Sequence, residues 1–236
     1  MRSIYLTAFF WILGKIMKRN YPANTSNIKL NQSLTKQIAY HEAGHAAAIY
    51  LNNKKKNLPP IYFQIRIKEL NSPNNIIEVQ TLKSESSMAM IEGGRLIQSL
   101  PLTLLESACF YSADQLDAFK TAFEADIINL LVGPLAEAKQ VALYNHSRFN
   151  TENITLETLH TYGGSSDLKT VHEYLSSFIA DRHFYNETLT KLFSEALDFI
   201  NTPSHWCAIE RLATYILSHD DDIISCEDVI TLIDTH

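Results

Sequence analysis

The sequence predicts a mainly α-helical protein with one small β-sheet, and three observations carry that reading. Glycine and proline number only seven each among 236 residues, too few for an all-β or a disordered chain. From Ser84 onward, apolar residues recur at helical spacing. Only the region 61–82 has the alternation and β-branched character of strands. With 46% apolar residues the chain can bury a core the size of one large domain.

Residues 3–13, SIYLTAFFWIL, are uncharged and apolar, with Arg2 before them and Lys15, Lys18 and Arg19 after. The stretch is shorter than the roughly 20 residues that span a bilayer, and no small-residue cleavage site follows it. Residues 1–20 therefore predict a first helix that docks on the domain or lies at a membrane surface, with a truncated anchor or signal as the alternative. Membrane contact, if there is any, is expected through residues 3–13.

Residues 21–33 are polar and read as a linker, leaving 34–236 as the folded domain. Ser33 is placed to cap a helix from Leu34 to about Asn52. In that helix Leu34, Ile38, His41, His45 and Ala48 fall on one inward stripe. Lys54, Lys55 and Lys56 beyond it suit the negative end of the helix dipole.

IYFQIRI (61–67) and IIEVQTL (76–82), joined by the turn-rich KELNSPNN, predict a β-hairpin. The segments 84–93 and 95–111 predict helix. Ser112 and Gln115 form a capping-box pattern opening a long helix, which Gly133-Pro134 is expected to kink or break. Residues 145–166 are polar and end in the sharp turn YGGSSD, before a helix over about 167–179. Asn186 is expected to cap the next helix, Thr202-Pro203 the one after it, and Ser225 a short last one.

The net charge is −6 and the one basic run is three lysines long, which argues against a nucleic-acid partner. Cys109, Cys207 and Cys226 are odd in number and form no CxxC pair, so they read as reduced residues of a cytoplasmic protein.

The candidate chemistry lies in AYHEAGHAAAIY (39–50). Two histidines four apart on a helix lie one above the other, so both imidazoles can reach one ion. Glu42, between them, is turned too far round to be a ligand but can take a proton from water at the open position. Chance gives this pattern in roughly one such sequence in fifty. A buried pair of satisfied histidines is the competing reading. Gly44, which costs a helix about 1 kcal/mol relative to Ala, points to something packed very close at that turn.

HEAGHA (41–46) resembles the zinc motif of the FtsH-type metallopeptidases. LLVGPLAEAKQ (130–140) is similar to that family's L-x-G-G-R-x-A-E-E junction, and YGGSSDLKTV (162–171) to its G-A-x-N-D-[LI]-x-x-A segment. The last helix, loop and short helix follow the family pattern as well. The resemblance implies His41, His45 and Asp167 as ligands of Zn2+, with Glu42 as general base. Asp167 as a plain helix-capping residue is the alternative. Glu137 would hold a ligating histidine from behind, unless it is a solvated helix glutamate. His160 and His172 flank Asp167 and are weaker candidates for stabilising an oxyanion.

The chain departs from the family at Pro134, Leu135 and Ser166, and the stretch between His45 and Asp167 is longer than the family's. No G-x-x-x-x-G-K-[ST] loop occurs, so the family's ATPase module is expected to be missing and any unfolding power to come from a separate ATPase or partner protein. The resulting expectation is a zincin-like helical domain with a small sheet beside the HExxH helix. It would act as a zinc endopeptidase on unfolded or flexible polypeptides, an edge strand of the hairpin receiving the substrate. The alternatives are a non-catalytic zinc-binding interaction module and a narrow regulatory protease for one partner protein. An oligomer is compatible with each of these.

Overall fold

The computed structural model describes residues 28–67, 89–93, 112–179 and 181–235. The expected apolar helix over 1–20, the strand over 76–82 and the expected helix over 95–111 lie outside the described residues. The order of elements is α1 (Ile28–Lys55), β1 (Phe63–Ile67), β2 (Ala89–Gly93), α2 (Ala113–Tyr144), α3 (Ser165–Phe178), α4 (Arg182–Asn201), α5 (Pro203–Ser218), β3 (Ile223–Ser225) and α6 (Cys226–Asp234). The fold is mainly α with one small sheet, and two short 3-10 turns, Thr151–Asn153 and Glu157–Tyr162, bridge α2 to α3.

Helix α1 is the axis of the domain, packed chiefly against α2 and α5. It begins at Ile28, so Ser33 lies inside it rather than capping it, and residues 28–33 are helix rather than linker. From Ile38 to Ile49 it is buried on every side, not along one stripe. Small residues explain this: Ala43, Gly44, Ala46, Ala47 and Ala48 let neighbouring helices approach all round. Lys54 and Lys55 occupy its last turn, and Asn57, at φ 51°, takes the left-handed conformation just beyond it.

The sheet has the order β2-β1-β3, antiparallel throughout. Ile65 stands opposite Ile91 on one side and Ile224 on the other, and these three with Phe63 form its buried face. Two expectations change here. The neighbour of β1 is Ala89–Gly93, a segment whose apolar spacing suggested helix, because so short an apolar run does not distinguish the two periods. In addition β1 is central, so it cannot be the edge strand that takes a substrate; among the described residues β2 and β3 hold the edges.

The capping box of α2 forms as its sequence specifies, with Ser112 Oγ accepting from Gln115 N–H and Gln115 Oε1 from Ser112 N–H. The helix then runs unbroken through Gly133-Pro134 to Tyr144. Pro134 supplies no N–H to the ladder, a cost of about 3 kcal/mol in an isolated helix, but here it is buried between packed elements. Helix α4 starts at Arg182, capped by Asp181, whose Oδ1 accepts from the N–H groups of His183 and Phe184 at 2.7 and 3.2 Å; Asn186 lies within the helix. Thr202 precedes Pro203 as expected, but its hydroxyl donates backward to Asp198 O at 2.9 Å. Ser225 and Asp228 close a second capping box on α6. No described helix is long and apolar enough to cross a membrane.

Candidate metal centre

Helices α1 and α2 cross almost in backbone contact. A Cβ on Gly44 would lie 2.8 Å from Ala136 Cβ and 2.9 Å from the Val132 carbonyl. At the next residue of α1, the imidazole of His45 rests on Gly133, where a Cβ would fall 2.3 Å from both Cε1 and Nε2. On the far side of the same Gly-Pro step, Pro134 packs against Gly164, where a Cβ would meet the Pro134 ring carbon at 2.8 Å. Gly163, at φ 72°, ends the preceding 3-10 turn in the left-handed conformation and turns the chain into α3. Asp167 sits in the first turn of α3 and points inward.

Three side chains from two distant segments therefore meet. His41, His45 and Asp167 each offer one ligand atom, all within 4.8 Å of one another. Asp167 Oδ2 accepts from His41 Nε2 at 3.2 Å, and Oδ1 lies 3.7 Å from His45 Nε2. The other ring nitrogens are tied from behind. His41 Nδ1 donates to Glu137 Oε2 at 3.1 Å, and His45 Nδ1 donates to the Asn129 carbonyl at 2.8 Å. Both Nε2 atoms are thereby turned toward the same carboxylate; the Asn129 carbonyl sets His45 as its Nδ1–H tautomer, whereas His41, between two carboxylates, carries both ring protons.

His41, Glu42 and His45 are wholly buried and Asp167 nearly so. His45 Nε2 and Asp167 Oδ1 have no hydrogen-bond partner among the described residues. Two such groups facing one another in the interior are costly unless something satisfies both. A divalent cation would do so, and two neutral imidazoles with one carboxylate are a donor set that zinc accepts. The residues present fit a metal ion.

Electrostatics divide the two imidazoles. Burial disfavours charge on His41, but hydrogen bonds to Asp167 and Glu137 outweigh it and raise its pKa to about 10. Burial dominates at His45 and lowers it to about 4. Glu42 lies close enough to His41 to add to that upward pull.

The structure brings His41, Glu42, His45, Glu137 and Asp167 into one neighbourhood. It places His160 and His172 on the surface, bonded to Ser165 Oγ and the Tyr185 hydroxyl respectively. Sequence reasoning missed two contributors. Gly133 was legible only as a helix breaker, whereas its missing side chain makes room for His45. The anchor of His45 is a backbone carbonyl, which any residue at 129 would supply, so no sequence signal marks it. No family model matches the chain, and no curated protein matches it.

Proposed function

We propose that this protein is a zinc-dependent endopeptidase related to the FtsH-type peptidases, acting on unfolded or flexible polypeptides in the cytoplasm. The observation that carries the reading is the convergence of His41 Nε2, His45 Nε2 and the Asp167 carboxylate within 4.8 Å, beside the buried Glu42. A zinc ion held by His41, His45 and Asp167 would supply a Lewis acid and would lower the pKa of a bound water to about 7. Glu42 accepts the proton of the water that attacks the scissile carbonyl, then returns it to the departing amine. Glu137 and the Asn129 carbonyl hold the two imidazoles in orientation while charge develops. Strand β2, at an edge of the sheet among the described residues and packed beside α1, offers backbone N–H and C=O groups to an extended substrate.

The test is cleavage of unfolded casein by the purified protein. Glu42→Gln is expected to lower the rate about 10²- to 10⁴-fold while leaving the metal bound, and a zinc chelator to abolish cleavage. Activity that survives either would contradict the assignment.

One observation favours a second reading. Glu42 and all three ligands are sealed from solvent, which suits a zinc-bearing interaction module or a protease opened by one partner protein. Stoichiometric zinc with no cleavage of any unfolded substrate would select the module.

A further inference from the structure

Besides the residues of the metal centre, the interface between α1 and α2 buries two facing asparagines among its alanine, glycine and aliphatic side chains. Asn52, 5% exposed, lies on α1 two turns beyond His45, and Asn129, 1% exposed, lies on α2. Asn52 Nδ2 donates to Asn129 Oδ1 at 2.9 Å. Simple packing at such a crossing is served better by apolar residues, because burying two amides stabilises little even when they are paired. What a buried polar pair does well is fix register, since any slip leaves both amides unsatisfied.

Register matters at this place for one reason. The carbonyl that accepts from His45 Nδ1 belongs to Asn129 itself. A slip of one residue along α2, about 1.5 Å along the axis and roughly 100° around it, brings Val132 or Pro134 to the place where the missing side chain of Gly133 makes room for His45. The ring of His45 would then be pushed out of the orientation that turns Nε2 toward Asp167.

We propose that Asn52 and Asn129 are positioning residues for the metal centre: their side-chain clasp sets the α1–α2 register, and through it the orientation of His45. The inference rests on the metal-site reading above. Neither side chain belongs to the ligand set of His41, His45 and Asp167, so both would act through His45.

The experiment measures zinc affinity by competition with a chromophoric chelator, alongside thermal unfolding, for wild type, Asn52→Leu, Asn129→Leu and the double variant. Each single change strands one buried amide group, so both stability and zinc affinity fall, the latter by about 10- to 100-fold. The double change removes both amides, so the melting temperature returns toward wild type while zinc affinity stays low. That separation is the signature of positioning. Zinc affinity that recovers together with the melting temperature in the double variant, or that never falls in any variant, overturns the proposal. If a leucine single variant does not fold, Asn52→Ser takes its place. Failure of the wild type to bind zinc at all is a different result, and removes the metal-site reading itself.

Discussion

Gly133→Ala is a substitution for which helix propensity and packing predict opposite signs. Gly133 lies inside a helix, where alanine is intrinsically better by about 1 kcal/mol. Here the added Cβ would fall 2.3 Å from Cε1 and Nε2 of His45, against an ordinary carbon contact of about 3.5–4.0 Å. The imidazole must therefore retreat by roughly 1.2 Å or more, or the helices must part. Overpacking of this kind costs about 1–3 kcal/mol, which cancels or exceeds the propensity gain and leaves a net loss of up to about 2 kcal/mol. For a chain of this length that lowers the melting temperature by roughly 2–4 °C per kcal/mol.

The consequence for the site is larger. Metal–ligand distances tolerate only about 0.2 Å, so the displaced ring stops being a ligand and zinc affinity falls by more than about 100-fold. Calorimetric titration of the metal-free variant with zinc, paired with a melting curve, reads both numbers. A Gly133→Ala protein that melts higher than wild type and binds zinc equally well would refute the contact between Gly133 and His45.

The two imidazoles make further predictions for protein stripped of metal. His41, with a folded pKa raised to about 10, contributes stability that is complete below about 6.5 and is lost as pH rises through about 10. His45, lowered to about 4, removes stability as pH falls from about 6.5 to 4, by up to about 1.4 kcal/mol per unit. The pair together place maximum stability near pH 6.5, checked by denaturant melts across that range. Zinc entering at pH 7 must displace the His41 proton but none from His45, so about one proton is released per ion, measurable by titration in buffers of different ionisation enthalpy. Glu137→Gln keeps an acceptor behind His41 but removes the negative charge, and is expected to weaken zinc binding about 10- to 100-fold, read by the same competition assay. Ser225→Ala, away from the site, is expected to cost about 1 kcal/mol through its capping box and leave zinc binding unchanged, as melting and titration together would show.

What the sequence conveyed follows the range over which each signal acts. Local chemistry was legible: the i, i+4 histidines, the capping serines at 112 and 225, and the close approach implied by Gly44 are each encoded within a few residues. Pairing was not. The partners of β1 are an adjacent run too short to show its period and a three-residue strand about 155 positions away, and nothing in IYFQIRI specifies either. That α2 runs on through Pro134 rather than breaking there was not legible, because the proline's penalty is local whereas its packing against Gly164 is tertiary. Asp167 was nominated by resemblance rather than by spacing, and its approach to both histidines depends on Gly163 turning the chain into α3. Asp181 outcompeted Asn186 as a cap because its carboxylate reaches two N–H groups at once.

The most direct test of the account is the zinc content of wild-type protein beside Asp167→Ala, measured by mass spectrometry after exhaustive dialysis. The wild type is expected to hold about one ion per chain and the variant essentially none, because two imidazoles alone do not retain it. Zinc held equally by both proteins would take Asp167 out of the coordination shell and contradict the site described above.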